Sequence, residues 1–132
     1  MEAICRTDAT QTVLVLDDDE SSRFVLRAIL ERAAITVLDA SHAAGAVDIC
    51  ESHPQPICLV VVDVILRGSG GPETVKKLKA LRPEMAILFV SGYPLEHLEE
   101  RGLIEQAIAN GEFLQKPFTP QVFLRAVRNL IG

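Results

Sequence analysis

Acidic, hydroxyl and amine side chains follow the apolar runs of this sequence. The runs VLVL, CLVVV and ILFV are followed by Asp17 with Asp18, by Asp63 and by Ser91, and Lys116 comes after a last, short run. Converging carboxylates repel one another, by roughly 4 kcal/mol at about 4 Å and an effective dielectric constant near 20. A bound cation relieves that repulsion, and oxygen ligands of this kind suit Mg²⁺. A carboxylate beside Mg²⁺, with an amine and a hydroxyl nearby, has the groups that phosphoryl transfer to an aspartate requires.

Each of these residues also has an ordinary structural interpretation. The DDDE run at residues 17–20 is typical of an acid-rich helix N-terminus, which the helix dipole favours. Asp63 alone fits a turn or an N-cap, Ser91-Gly92 fits a tight turn, and Lys116 alone fits the surface. The chemical hypothesis therefore depends on all of them lying at strand ends together.

Five apolar runs of strand length alternate with stretches of helical periodicity. Most of the runs are rich in Val and Ile and look continuously buried, as strands covered on both faces do. They cover Val13–Leu16, Ile35–Leu38, Ile57–Val62, Ala86–Val90 and Phe113–Leu114. This alternation predicts an α/β fold, a five-stranded parallel sheet in the flavodoxin-like order 2-1-3-4-5 with helices on both faces. In such sheets functional side chains collect at the carboxyl ends of the strands.

Helical patterns fill the gaps between the runs. Apolar stripes lie at Leu26, Ile29, Leu30 and Ala33 and at Val75, Leu78 and Leu81, and Ala43–Cys50 forms a weaker pattern. Thr119 as N-cap and Pro120 at the first position mark the last helix. Gly102 interrupts any single long helix in residues 95–110. We expect one domain over residues 1–132, with its core at 11–131 and residues 1–10 loosely ordered.

The overall composition is that of an ordinary globular protein. The 132 residues are 48% hydrophobic and 23% charged, and the net charge of −5, without a basic cluster, argues against direct nucleic-acid binding. The longest apolar run, Ile57–Val62, is far too short to span a membrane. No secretory signal is apparent, and the three cysteines have no disulfide or zinc spacing. We therefore expect a cytoplasmic chain without disulfides or a membrane partner.

The segments VLVLDDDE, LVVVD, FVSG and FLQKPF together resemble the response regulator receiver family of two-component signalling. The resemblance spans about Gln11 to Ile131. It implies that Asp63 is the phospho-acceptor, that Asp18 binds Mg²⁺ directly and that Asp17 acts largely through water. The backbone carbonyl of Ile65 matches the remaining protein ligand of the metal.

The resemblance also assigns roles to the later strand ends. Ser91 matches the hydroxyl that bonds the phosphoryl group, and Lys116 matches the lysine that pairs with it. The peptide bond before Pro117 is expected to be cis. Phe113 matches an aromatic switch residue that changes rotamer with the state of the site.

Two segments depart from the family pattern or vary within it. After the acceptor the chain reads DVILRGSGG, with Arg67 in place of the usual Pro and Gly70 in place of a polar residue, which predicts a looser loop. Ile65 and Tyr93 occupy positions that govern hydrolysis of the phosphoaspartate in the family, and the small Gly92 leaves room for access. Because neither Ile65 nor Tyr93 can orient water, we expect slow hydrolysis.

The resemblance further implies the partners. A histidine kinase or phosphotransfer protein would supply the phosphoryl group, and the face made by the fourth helix, fifth strand and fifth helix would bind a downstream protein. Both SGY and FLQKPFTP resemble receivers attached to hybrid histidine kinases. The chain is expected not to be an enzyme beyond its own phosphorylation and slow dephosphorylation, and the sequence leaves homodimer formation open.

Two other functions compete with this one. A haloacid-dehalogenase-type phosphatase also uses strand-end Asp, Ser and Lys with Mg²⁺, and Asp17-x-Asp19 could imitate its nucleophile motif. That family needs further acids after its lysine, and residues 117–132 contain none. A pseudo-receiver would use the same fold only as a binding surface, although every acidic position and the lysine are intact.

Overall fold

Five parallel strands form the central sheet in the computed structural model, which describes residues 11–66, 69–94, 98 and 101–132. The strands are β1 (Thr12–Leu16), β2 (Thr36–Ala40), β3 (Leu59–Asp63), β4 (Ala86–Ser91) and β5 (Phe113–Gln115). Their spatial order is β2-β1-β3-β4-β5 and every pairing is parallel. The predicted flavodoxin-like order is therefore confirmed. The expectation for residues 1–10 lies outside the described residues, as does Arg67.

The helices divide between the two faces of the sheet. They are α1 (Glu20–Arg32), α2 (Ala43–Ser52), α3 (Gly71–Leu81), α4 (Arg101–Ala109) and α5 (Pro120–Ile131). One apolar core cluster joins the sheet to α2, α3 and α4, and the other joins it to α1 and α5. Alternate residues of β1 point into opposite clusters, Leu14 and Leu16 into the first and Val13 and Val15 into the second. Burial on both faces explains why the strand sequences are continuously apolar.

Local signals set the helix ends. The Asp19 carboxylate caps α1 by accepting the Ser22 amide at 2.8 Å, and the Thr119 hydroxyl caps α5 by accepting the Val122 amide at 3.1 Å. Helix α3 begins after Gly70, which offers no side-chain cap. Gly102 lies in the first turn of α4, so the part of this helix after it continues without a break.

Arg82 joins the ends of α2 and α3. Its guanidinium donates to the backbone carbonyls of Cys50 at 3.0 Å, of Gln55 at 2.8 Å and of His53. These carbonyls lie at and just beyond the C-terminal end of α2, where a cation also complements the helix dipole. The bonds fix α2 against α3 on one face of the sheet.

The structure adds two features that the sequence did not predict. Ile65–Leu66 and Ser69–Gly70 form a short antiparallel pair directly after β3. Cys50 is a free, buried thiol, whereas Cys58 is disulfide-bonded, so the expectation of a chain without disulfides is wrong at Cys58. Among the helices of the described ranges, none is long and apolar enough to cross a membrane.

Ala34 ends α1 in a backbone conformation that normally belongs to glycine. Its φ is +63°, the Ala34 amide donates to Glu31 O at 3.0 Å, and the Ile35 amide donates to Leu30 O at 3.1 Å. This is the Schellman arrangement, in which a left-handed residue follows the C-cap. An L side chain in that conformation costs roughly 1–2 kcal/mol.

Ala34→Gly is therefore expected to raise the free energy of unfolding by about 0.5–1 kcal/mol, because relief of the left-handed strain exceeds the added entropy of the unfolded glycine. Urea denaturation measures the change. Ala33→Gly is the matched control, since Ala33 has a φ of −94° and gains nothing from glycine. Equal effects of the two variants would show that strain at Ala34 is absent.

Candidate functional site

The ammonium of Lys116 lies between two carboxylates at the carboxyl edge of the sheet. Lys116 Nζ is 3.3 Å from Asp17 Oδ2 and 3.4 Å from Asp63 Oδ2. Asp17 follows β1, Asp63 ends β3, and Lys116 follows β5. Since all five strands run parallel, these three side chains meet at one edge of the sheet, as their places at strand ends predict.

Backbone amides hold the other oxygen of each carboxylate. Asp17 Oδ1 accepts the Asp19 amide at 2.9 Å, and Asp63 Oδ1 accepts the Ile65 amide at 2.9 Å. Both bonds connect a carboxylate to the amide two residues later, the local pattern that Asp favours where a strand turns into a loop. The same turn thus fixes both acids, and leaves one oxygen of each facing Lys116.

Burial makes these charges costly. The side chain of Asp17 is 1% exposed and that of Asp63 is 15% exposed. Burial raises the pKa of the Asp63 carboxyl, the Ile65 amide and the Lys116 charge act in the opposite direction, and the charge of Asp17 raises it further. The negative charge of Asp63 is therefore unfavourable at this site, and a bound cation would reduce its cost.

The acidic run divides into different roles. Asp17 is buried against Lys116, whereas Asp19 is exposed and caps α1. Hydrogen bonds from Ser22, first from its backbone amide, lower the pKa of the Asp19 carboxyl. Asp18 lies between them and is partly exposed. The structural interpretation of the DDDE run is thus confirmed for Asp19, whereas Asp17 lies against Lys116 at the strand end.

Ser91 ends β4 and Tyr93 follows it, on the side of the site next to β5. Ser91 is fully buried, its hydroxyl accepts the Tyr93 amide at 3.1 Å, and its carbonyl accepts the Lys116 amide at 2.8 Å. The Tyr93 side chain is 53% exposed, and Ile65 is 43% exposed. A Cβ added at Gly92 meets no described atom within 4 Å outside its chain neighbours.

The remaining predicted residues lie beside β5. Phe113 is half-buried and packs against the core cluster that contains α3 and α4. The peptide bond between Lys116 and Pro117 is cis. Phe113 begins the strand and Lys116 follows its end, so one short element carries both residues.

The donor set fits a hard divalent cation. Asp17 and Asp63 flank Lys116, and Asp18 follows Asp17 in the chain, so the candidate ligands are carboxylates. All of the candidate ligands are oxygens, and Mg²⁺ needs only one or two carboxylates because it keeps several waters. No cluster of three or more His, Cys, Asp or Glu side chains in metal-binding geometry occurs in the described part of the chain. The donor chemistry therefore suits Mg²⁺.

Three residues of the site were not predicted to act there. Ser22 Oγ accepts from Lys116 Nζ at 3.3 Å, and Arg23 donates to the Asp17 carbonyl at 2.9 Å. Gly71 packs so closely that an added Cβ would lie 2.3 Å from the Asp63 carbonyl oxygen. Ser22 and Arg23 follow the acidic run directly, so their proximity in sequence was the available signal.

The sequence matches the family model described as response regulator receiver domain over residues 13–128. Among curated relatives, the sensor kinase CckA of Brucella abortus is 30% identical over 120 residues, which cover 91% of this chain and 12% of the kinase. The transcriptional regulatory protein FixJ of Azorhizobium caulinodans is also 30% identical over 120 residues, 91% of this chain and 54% of the regulator. The chain thus spans about half or less of these relatives.

Solved structures agree with the sequence matches. The receiver domain of the hybrid histidine kinase CckA has a TM-score of 0.74 and 25% identity, with 92% of this chain and 99% of that one covered. A CheY-like receiver domain protein of Methanospirillum hungatei has a TM-score of 0.77 and 24% identity, covering 92% and 93% of the two chains, and at that identity supports the fold alone.

Removing the charge of Asp63 should stabilise the protein at neutral pH. Folding raises the pKa of the Asp63 carboxyl, so its ionised form destabilises the folded protein at a pH above the folded-state pKa. This destabilisation disappears as the pH falls below the pKa of the unfolded chain, because the carboxyl is then protonated in both states. We expect Asp63→Asn to raise the free energy of unfolding by about 1 kcal/mol at pH 7, with the gain disappearing in acid.

The control for this prediction is Asp19→Asn. The pKa of Asp19 is lowered, so its charge contributes stability at neutral pH that is lost as the pH falls. The two variants should therefore differ in sign at pH 7 and converge in acid. Denaturant titrations across the pH range measure both, and a loss of stability in Asp63→Asn at pH 7 would contradict the stored charge.

A side chain at Gly71 should clash with the backbone of Asp63 and destabilise the protein. Gly71→Ala places a Cβ 2.3 Å from the Asp63 carbonyl oxygen and 2.9 Å from Val64 Cα, so we expect a loss of about 1–3 kcal/mol in unfolding free energy. Gly70→Ala is the matched control, because its added Cβ finds its nearest neighbour, Pro72 Cδ, at 3.8 Å. Equal stabilities for the two variants would mean that this contact is unimportant.

Proposed function

The chain belongs to the response regulator receiver family, and we propose that it accepts a phosphoryl group on Asp63 in a two-component phosphorelay. The observation that carries this proposal is the placement of the Lys116 ammonium 3.4 Å from the buried Asp63 carboxylate and 3.3 Å from Asp17. A carboxylate in this setting is a nucleophile with its positive partner already in place. We treat residues 1–132 as one receiver domain and expect it in the cytoplasm.

In the proposed reaction, Asp63 Oδ2 attacks the phosphorus of a phosphohistidine. The new P–O bond forms as the P–N bond breaks, and the imidazole leaves with the electron pair of that bond. Lys116 turns from the carboxylate towards a phosphoryl oxygen, while the Ile65 amide keeps Asp63 Oδ1 in position. Charge neutralisation and positioning supply most of the catalysis in such transfers.

Asp18, Asp63 and the Ile65 carbonyl would hold Mg²⁺, with Asp17 acting largely through water. When bound, the cation neutralises charge on the phosphoryl oxygens and lowers the repulsion between the carboxylates. The oxygen-only ligands of this cluster support this assignment.

The proposed switch involves Ser91 and Phe113. The Ser91 hydroxyl now accepts the Tyr93 amide, and after phosphorylation it would bond the phosphoryl group instead. Phe113 is half-buried beside this region and would turn inward as Ser91 moves. The altered surface of α4, β5 and α5 would then bind a downstream protein, a shift between two populated states.

A histidine kinase or a phosphotransfer protein is the proposed donor. The similar receiver domain of the hybrid histidine kinase CckA supports this class of partner. We propose no direct contact with nucleic acid, because the net charge is −5. Catalysis is confined to the chain's own phosphorylation and slow dephosphorylation, and homodimer formation is not part of the proposal.

Labelling by a small phosphodonor tests the acceptor. Acetyl phosphate with Mg²⁺ should add one phosphoryl group to the wild-type chain and none to Asp63→Asn, with Asp19→Asn as a control that retains labelling. Intact-protein mass spectrometry measures the addition. Persistent labelling of Asp63→Asn would show that another residue is the acceptor. Turnover of a generic phosphate ester would favour a phosphatase, and an unlabelled wild-type chain would favour a pseudo-receiver.

The lifetime of the phosphorylated form tests the hydrolysis assignment. Because Ile65 is apolar and partly exposed beside Asp63, we expect a half-life of minutes or longer after the phosphodonor is removed. Ile65→Asn, which can orient a water molecule, should shorten that half-life several-fold, whereas Ile65→Val should not. A wild-type half-life of seconds would refute the assignment.

A further inference from the structure

Lys116 has a third close acceptor besides the two carboxylates. Ser22 Oγ lies 3.3 Å from Lys116 Nζ, as near as Asp17 Oδ2 at 3.3 Å and Asp63 Oδ2 at 3.4 Å. We propose that Ser22 is a positioning residue, which holds the Lys116 ammonium when Asp63 binds a metal ion. This inference rests on the proposed function of the same site.

Each of the two carboxylates already uses one oxygen to accept a backbone amide. One oxygen of Asp17 accepts the Asp19 amide and one oxygen of Asp63 accepts the Ile65 amide, both at 2.9 Å. The other oxygen of each carboxylate faces Lys116. A divalent cation bound by Asp63 weakens the attraction of that carboxylate for the ammonium, which then depends more on its bond to Ser22.

Ser22 is well placed to be that partner. Its backbone amide is bonded to the Asp19 carboxylate at 2.8 Å, which fixes Ser22 in the first turn of α1. Its hydroxyl is neutral, so it can accept from the ammonium without attracting the metal as strongly as a carboxylate does. Asp17, Ser22 and Asp63 thus surround Lys116 from β1, α1 and β3.

Loss of the hydroxyl should weaken metal binding. In Ser22→Ala the ammonium has only the two carboxylates as close partners, so no bond to Ser22 can tighten to compensate when a metal ion binds Asp63. We expect the Kd for Mg²⁺ to rise about three- to tenfold, which is the fold-change that the net contribution of one ordinary hydrogen bond gives. Ser22→Thr keeps the hydroxyl and should keep the wild-type Kd.

The experiment measures the unfolding free energy of the full chain as a function of Mg²⁺ concentration. Ligand that binds the folded state stabilises it by an amount that yields Kd, while the metal-free baseline reports any structural cost separately. Ser22→Val is compared with Ser22→Thr, because the two side chains have nearly the same shape and Val carries a methyl group where Thr carries the hydroxyl. Ser21→Ala serves as the control, since Ser21 is the exposed neighbour in the same turn.

A second readout separates binding from chemistry. Labelling by acetyl phosphate should be slower in Ser22→Ala and Ser22→Val at low Mg²⁺ and should return to within about twofold of wild type at saturating Mg²⁺, because a weakened site can still be filled. A purely structural defect would slow labelling at both concentrations.

The outcomes distinguish this inference from the proposed function. An unchanged Kd in Ser22→Ala and Ser22→Val, or an equal rise in Ser22→Thr, overturns the role of the hydroxyl and leaves the receiver function intact. If the wild-type chain shows no Mg²⁺-dependent stabilisation and no labelling, both the proposed function and the inference fail. A rise in Kd confined to the variants without a hydroxyl supports the inference.

Discussion

The single ammonium of Lys116, shared by two buried carboxylates, is the interaction on which the site depends. Asp17 and Asp63 would repel each other strongly at this depth without a positive charge between them. One lysine cannot cancel them fully, because it carries one positive charge against their two negative charges. The protein therefore retains a deficit of positive charge at the place where a metal ion and a phosphoryl group would enter, and burial of Asp63 keeps that deficit costly.

The register of the sheet explains why the residues meet. Leu16 pairs with Val62, so the next residues, Asp17 and Asp63, emerge side by side from β1 and β3. At the other side of the site, Ser91 pairs with Gln115, so Lys116 leaves β5 directly beyond Ser91. A change of register by one residue would send these side chains to different faces. The apolar faces that fix the register thereby also fix the chemistry.

Sequence reasoning identified the parts of the site that depend on strand ends. Asp17, Asp63 and Lys116 follow apolar strands, so the topology alone brings them together. The sequence could not show which residue of the DDDE run is buried and which caps a helix, because the burial of Asp17 and the capping by Asp19 depend on where α1 begins. It also missed the roles of Ser22 and Gly71, since a hydroxyl on a helix and a glycine after a loop acquire their roles only from neighbours distant in sequence. The antiparallel pair after β3 was missed because each strand is only two residues long.

The two sides of the acceptor differ in how tightly they are held. On one side, Gly71 packs against the Asp63 carbonyl so closely that a methyl group does not fit, and its amide donates to Val64 O at 2.7 Å. On the other side, a Cβ at Gly92 meets no described neighbour within 4 Å, and the Ser91 hydroxyl accepts the Tyr93 amide at 3.1 Å. Close packing around Asp63 would keep the proposed nucleophile in position, and phosphoryl transfer depends on such positioning. Movement after the proposed phosphorylation would then be easier in the segment after β4, which supports placing the proposed switch at Ser91 and Phe113 rather than at α3.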